Sequence, residues 1–331
     1  MHSTRCAIAE ARWYHDKASP FVLCKDEGLF CFNRHLHRSS TNIGMELTTY
    51  HSVENFYTRA EPFLLEREAE HNMILGLRAY LMRNSPSQDQ PPYLSIVEHQ
   101  GRIVAVAVMA PPNRMIISHA TLAEAIPLIA AGAYALYKTL PGVSGSTPFS
   151  EQFATEWQRL SAQPYSLTMA ERIYQLDKVN PVTGVPGSLR KATESDRPLL
   201  LQWLAEYQEE ALHLTDTSTL AALLDRLLSF ETQGLFIWED AQPVSMAAYT
   251  RPTPNGICIA AVYTPRPLRG RGYASACVAA LSQLLLDQGR RYCFLYTDLV
   301  NPTSNHIYQT MGYEPICDAS IYSFEDPAIP S

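Results

Sequence analysis

From Met45 onward the chain is written twice. The stretch LTTYHSVENFYTRAEPFLLEREAEHNMILGLRAYL reads as a short strand and two helical segments, and LRKATESDRPLLLQWLAEYQEEAL repeats that order from Leu189. YLSIVEHQGRIVAVAVMAPPNRMIIS (93–118) reads as three strands separated by a turn at Gly101 and a proline-rich turn. LFIWEDAQPVSMAAYTRPTPNGICIAAVYT (235–264) has the same grammar. In both copies branched and small residues alternate between Pro, Gly and Asn breakers, which is how half-buried strands are spelled. Helical TLAEAIPLIAAGAYALY matches YASACVAALSQLLLDQG, and LPGVSGSTPFSEQFATEWQRL matches CFLYTDLVNPTSNHIYQTMGY. MAERIYQLDKV closes the first copy and PICDASIYSFE the second. The join NPVTGVPGS (180–188) carries two prolines and two glycines and reads as a linker. A tandem of two mixed α/β (α+β) domains is expected, over 45–180 and 189–331, with 181–188 between them.

A chain of 331 residues is long enough for two cored domains. Hydrophobic residues at 46% and charged residues at 18% exclude wholesale disorder. The net charge of -7 disfavours broad nucleic-acid binding, so any basic site must be local. No stretch approaches the ~20 apolar residues of a membrane span, and the first twenty residues do not have the layout of a signal peptide. Seven cysteines follow no regular spacing. Cys258, Cys277 and Cys293 lie in apolar runs, where cysteine behaves as a small hydrophobe, so a reducing, cytoplasmic setting is expected. Residues 1–44 lack periodicity and read as a disordered or mis-annotated extension, with Met45 as the expected start. The spacing of Cys24, Cys31, His35 and His37 within them fits no standard zinc site. Trp157, Trp203 and Trp238 are expected in the core.

The most concentrated chemistry lies in VYTPRPLRGRGYASA, which places Arg266, Arg269, Arg271, Gly270 and Gly272 within seven positions. The preceding ICIAAVYT reads as a strand. After it Ala274, Val278, Leu281 and Leu285 fall on one helical face, with Gly289 as C-terminal cap. A strand-to-helix turn of this kind offers unpaired backbone N–H groups and the positive end of the helix dipole to a phosphate. Glycines let the backbone approach closely, so the expected ligand is a pyrophosphate or a multiply phosphorylated cofactor. A Walker loop would need Lys-Ser or Lys-Thr after its last glycine, where this chain has Tyr273-Ala274. A dinucleotide loop would need a third glycine and an acid about twenty residues on; here Ser275 and Arg290 stand there.

Arg269-x-x-Gly272-x-Ala274 resembles the Arg/Gln-x-x-Gly-x-Gly/Ala motif of the GNAT acetyltransferases, the Gcn5-related N-acetyltransferase superfamily. NPTSNHIYQTMGYEP resembles that superfamily's second cofactor segment, where an asparagine and a tyrosine precede a Gly-Tyr or Gly-Phe turn. The close resemblance covers about Leu189 to Glu325, and the first half resembles the fold only in element order. The resemblance implies two GNAT-like mixed sheets flanked by helices and acetyl-CoA as co-substrate, with no metal. The N–H groups of Arg269, Gly270, Arg271, Gly272, Tyr273, Ala274 and Ser275 would hold the pyrophosphate. Val262, Tyr263 and Thr264 would pair with pantetheine like an added strand; Asn305 would touch it, with Asn301 nearby. Tyr308 would protonate the leaving thiolate. Glu239 and Asp298 are both candidates for taking the proton from the acceptor, a small amine or a peptide N-terminus.

The first copy has neither glycine nor arginine in ISHATLAEA and no tyrosine at the place of Tyr308, so it is expected to lack a working cofactor site. Two other classes of function stand beside acetyl transfer: a CoA-binding sensor without turnover, and a scaffold in which the loop is a relic.

Overall fold

The computed structural model describes residues 44–83 and 91–325, together with the backbone of Phe21–Cys24 and Leu29–Phe32. Those two short strands, β1 and β2, pair with each other and then with the first strand of the repeat. The side chains of Cys24, Cys31, His35 and His37 lie outside the described residues.

The first copy runs β3 (Met45–Tyr50), α1 (Val53–Leu65), α2 (Asn72–Arg83), β4 (Tyr93–His99), β5 (Arg102–Met109), β6 (Met115–Ile117), α3 (Ala125–Leu136), β7 (Gly142–Ser146), α4 (Thr147–Ser161) and β8 (Tyr165–Leu176). The second runs β9 (Ser188–Lys191), α5 (Arg197–Leu212), α6 (Leu220–Ser229), β10 (Gly234–Asp240), β11 (Gln242–Thr250), β12 (Gly256–Tyr263), α7 (Tyr273–Asp287), β13 (Tyr292–Asp298), α8 (Pro302–Thr310) and β14 (Glu314–Phe324). Local chemistry sets several of the boundaries. Ser52 caps α1 by accepting the Asn55 N–H at 3.2 Å. Thr193 and Asp196 form a reciprocal capping box ahead of α5, satisfying two otherwise orphaned backbone donors. Asn301 caps α8 through the Ser304 N–H, with Pro302 in the first turn. Gly289, at φ +94°, closes the turn after α7.

The copies are not side by side as separate sheets. All strands join one sheet in the order β1-β2-β3-β4-β5-β6-β7-β14-β8-β13-β12-β11-β10-β9. Each copy's first five strands run antiparallel until the last pair, β6 with β7 and β12 with β13, which is parallel. The closing strands are then exchanged. β8, from the first copy, pairs with β13 of the second. β14, from the second copy, pairs with β7 of the first, and β8 and β14 pair with each other along their lengths.

The cores follow the exchange. Beneath α3 and α4, the first copy's apolar cluster includes Tyr322 and Phe324 of β14 beside Trp157 and Phe153. Beneath α7 and α8, the second copy's cluster includes Tyr174 and Leu176 of β8. On the opposite face α1 and α2 cover one half and α5 and α6 the other. Trp157, Trp203 and Trp238 are all buried, as are Cys258, Cys277 and Cys293. Further contacts tie the halves. The buried Glu68 accepts hydrogen bonds from the Thr253 hydroxyl and from both the backbone and side-chain nitrogens of Asn255. Asn72 donates to the Tyr296 hydroxyl at 2.8 Å.

The join is not a loose tether. Val182 and Val185 pack against the second core, and the Trp238 indole N–H donates to the Pro186 carbonyl at 2.9 Å. A side chain at Gly187 would strike that indole and the Glu239 carbonyl.

Residues 188–331 made alone would leave β13 without β8 and β14 without β7. Such a fragment should aggregate or lack a cooperative thermal transition by circular dichroism. Residues 1–187 and 188–331 produced together as two polypeptides should copurify as a 1:1 complex. Trp157→Ala should cost about 3–5 kcal/mol, read as a lowered denaturant midpoint with an unchanged slope.

Candidate active site

β12 and β13 run in parallel register only from Gly256–Tyr292 to Cys258–Phe294. Beyond that level both continue, to Tyr263 and Asp298, without pairing to each other. On its far side β12 carries a bulge against β11, where the register shifts between Met246 and Ala248 and Ala261 takes φ +48°. A bulge adds a residue to one strand and bends it away from its neighbour. The result is a gap between the two strands, along which Ala260 to Thr264 of β12 have no partner in β13. Val262, Tyr263 and Thr264 belong to this unpaired end of β12 and the residue after it. The strand end is fixed from the other side: Ser245 donates to the Tyr263 carbonyl and contacts the Thr264 hydroxyl.

The gap leads to the basic loop. After Thr264 a short 3-10 turn over Arg266–Leu268 brings the chain to Gly270 and Gly272, at φ +77° and +81°. Both sit in the left-handed region, which only glycine occupies without strain. A Cβ at Gly270 would meet open space, whereas one at Gly272 would approach Val185 of the join at 2.9 Å. Gly272 caps α7, no side chain caps that end, and its first turn holds no acidic residue. The N–H groups of Tyr273, Ala274 and Ser275, in the first turn, accordingly have no intrahelical partner.

The arginines differ from one another. Arg266 and Arg269 both pair with Glu210 of α5, at 3.0 and 2.7 Å, and Arg269 also donates to the Thr264 carbonyl. Arg269 in particular holds the Glu210 carboxyl below its ordinary pKa. These two side chains thus brace the loop onto α5. Arg271 is exposed and, among the described residues, forms no ion pair, which leaves it available to an anion. Tyr273 is anchored instead, donating to Asp240 at 2.7 Å.

Below the gap, on the α7 and α8 side, lies Tyr308. Its ring meets Tyr313 edge-on at 5.8 Å. Burial pushes its phenol well above the ordinary value, with Tyr207 and Cys277 adding to the effect. Asn305 is nearby but fully engaged. Its carbonyl oxygen accepts from Tyr174 and Thr297, and its amide nitrogen donates to the Asp298 and Asn301 carbonyls. Asn301 is the cap of α8. Both asparagines thus set the turn that positions Tyr308, and a ligand contact from Asn305 would replace one of these bonds.

The two candidate bases part company. Asp298 stands at the end of β13, on the lip of the gap, accepting the Val300 N–H at 3.0 Å. Glu239 stands on β10, two strands from the gap, and is held by Arg190, which also forms a two-pronged pair with Asp196. The structure does not bring Glu239 to the other site residues.

Sequence reading missed the residues above the gap. Tyr207 of α5 lies within hydrogen-bonding reach of the Ala261 backbone, and burial raises its pKa. Arg251, from the turn after β11, stacks over Tyr296 at 5.5 Å and donates to the Cys258 thiol. Glu171 comes from the exchanged β8 and is the register partner of Asp298. Tyr207 could have been found as a polar position on a helix repeat. Nothing local marks Glu171.

In the first copy the equivalent helix end, at α3, follows Glu124 as its cap and has no side-chain capping bond. A carboxylate at this position repels an anion from the helix terminus.

Among the described residues no group of three or more His, Cys, Asp or Glu side chains is placed to hold a metal ion, and no helix is long and apolar enough to cross a membrane.

Comparison with known proteins agrees with this geometry. Residues 198–313 match the model of the acetyltransferase (GNAT) family. No curated protein matches the chain in sequence. A GCN5-related N-acetyltransferase from Sphaerobacter thermophilus is similar in structure, with 14% identity, a TM-score of 0.57, and coverage of 86% of this chain and 97% of that one. A GNAT-family acetyltransferase from Colwellia psychrerythraea aligns with 12% identity and TM-score 0.51, over 84% of this chain and 98% of its own. A Drosophila protein aligns with 9% identity and TM-score 0.60, over 85% and 99%. At such identities the likeness is one of fold, and it extends over both halves. The second half of this chain thus carries a GNAT domain over residues 198–313, and the first half resembles a second copy of the same fold.

Proposed function

We propose that this chain transfers an acetyl group from acetyl-CoA to a primary amine, a small molecule or a peptide N-terminus, by direct attack with both substrates bound. The observation that carries the reading is the continuity of the β12–β13 gap with the glycine-capped, arginine-bearing start of α7. An extended arm with a pyrophosphate at one end fits that path. A lone phosphate would not need the gap, and a peptide strand would not need the loop.

Acetyl-CoA supplies the activated acetyl group. The residues of the chain do the rest. Backbone N–H groups from Arg269 to Ser275 hold the pyrophosphate, helped by Arg271. The wall from Val262 to Thr264 pairs with the pantetheine arm, and an N–H near Val262 stabilises negative charge building on the acetyl oxygen. Tyr308, a phenol that stays protonated at neutral pH and whose burial raises its pKa further, donates to the departing sulfur in this reading. The acceptor approaches from the opposite face, past Tyr207 and Asp298. Its ammonium, near pKa ~10, must lose a proton before it can attack. A cytoplasmic site of action, where acetyl-CoA and reduced thiols coexist, suits this reading.

Acetyl-CoA at 100 times its dissociation constant should stabilise the protein by about 2.7 kcal/mol, an upward shift in melting temperature at roughly 2–4 °C per kcal/mol. Gly272→Glu places a strained backbone, a clash with Val185 and a negative charge at the anion site, and should abolish the shift. An unshifted wild type would remove the cofactor from this loop. Tyr308→Phe should bind acetyl-CoA as tightly as wild type while losing at least about tenfold in kcat. Equal turnover in the two proteins would dismiss the phenol as proton donor. Binding with no turnover of any amine in wild type would favour a CoA sensor.

A further inference from the structure

We infer that Glu171, delivered from the first half of the chain by the exchanged strand β8, is the group that receives the proton of the acceptor ammonium. The inference rests on the acetyl-transfer reading above and names the proton acceptor that reading leaves open.

Position comes first. Glu171 and Asp298 are register partners on adjacent strands, so their side chains leave the sheet on the same face, side by side. That face is the one opposite α7 and α8. Asp298 ends the strand that forms one wall of the gap. Glu171 is half-buried, and among the described residues its carboxylate accepts no hydrogen bond. This separates it from the other acidic groups nearby. Asp298 holds the Val300 N–H, Glu68 holds Thr253 and Asn255, and Glu239 holds Arg190. Glu171 alone among these four reaches the site with its lone pairs uncommitted.

The surroundings suit a group that gains and loses a proton. Burial and the Asp298 carboxylate raise its pKa, while Arg251 and Arg114 oppose the rise. Tyr207 feels both Glu171 and Arg251 and lies near the Ala261 backbone. Tyr296 and Cys258 complete the titratable groups around it. Glu171 also lines a small cavity of about 20 Å³, shared with Glu70, Ser146 and Tyr296. That is room for one water, and Glu70 contacts His119 on the far side at 3.3 Å.

The balance is as follows. The acceptor ammonium gives one proton to Glu171, and its freed lone pair forms the C–N bond to the acetyl carbon. The C–S bond breaks, and the sulfur leaves with its electron pair and takes the Tyr308 proton. The newly acylated nitrogen sheds its second proton, which restores the phenol. Glu171 releases its proton to water. One ammonium and one thioester become one amide, one thiol and one proton.

The test uses the full chain with acetyl-CoA and three primary amines, n-butylamine, spermidine and glycinamide. It follows thiol release against pH, with acetyl-CoA affinity measured by calorimetry. In wild type kcat/KM should rise with pH through the Glu171 ionisation and then level off. In Glu171→Gln it should fall about 10²–10⁴-fold with acetyl-CoA affinity unchanged. The residual rate should climb with unit slope toward the amine's own pKa, because only free amine then reacts. Glu171→Asp should recover part of the rate and the plateau. A Gln variant that keeps the wild-type profile shape, at whatever rate, overturns the assignment and leaves acetyl transfer standing. Acetyl-CoA binding without turnover of any of the three amines overturns it too. A wild type that fails to bind acetyl-CoA overturns acetyl transfer itself, and Glu171 with it.

Discussion

The reciprocal pairing of β8 with β13 and of β14 with β7 is the constraint on which the rest of this structure depends. It closes both open sheet edges at once, and each exchanged strand carries aromatic side chains into the other half's core: Tyr174 one way, Tyr322 and Phe324 the other. Unpaired strand edges are a liability in either half alone. Because the strands are covalently continuous with their own halves, neither core is complete without the other. Similar sequence copies have therefore produced one body with two related ends.

The same pairing sets the chemistry. The gap between β12 and β13 opens where β12 bulges at Ala261, and β8 pairs with the other edge of β13 as far as Glu171–Asp298. A strand from a half with an acidic helix cap at its own equivalent helix end thus lies beside β13 of the other half and sets Glu171 against Asp298. The join contributes as well, since Val185 rests against Gly272 and limits how the loop can shift.

Much of this was legible in the residues. Alternating strands, capped helices and the order of elements follow from local periodicity and local hydrogen bonding, and they appear where expected from Met45 to Phe324. The glycine-arginine loop at the start of α7 was equally readable, because its conformation rests on consecutive residues, with Gly270 and Gly272 both at positive φ. Strand pairing was not. Periodicity says that MAERIYQL is a strand but not which strand it joins, and the natural assumption of two self-contained sheets is where reading by pattern ends. For the same reason Glu239, at a promising strand end, lies two strands from the gap, while Glu171 went unnoticed. The three arginines looked alike in sequence; only the tertiary position of Glu210 divides them into two braces and one open cation.

The exchanged strands also order events in time. β8 is synthesised long before its partner β13, and β7 must wait for β14, which follows the whole of the second copy's other strands. Until then the first half presents β7 with an unpaired edge and a core missing Tyr322 and Phe324. Its completion is held back until β14 is made, so the nascent chain has an interval in which an open strand edge seeks a partner. A second nascent chain offers the same β14. Linked dimers formed by trading that strand between molecules are then the natural misfolded product, and dilution or slow synthesis would be what keeps the exchange within one chain.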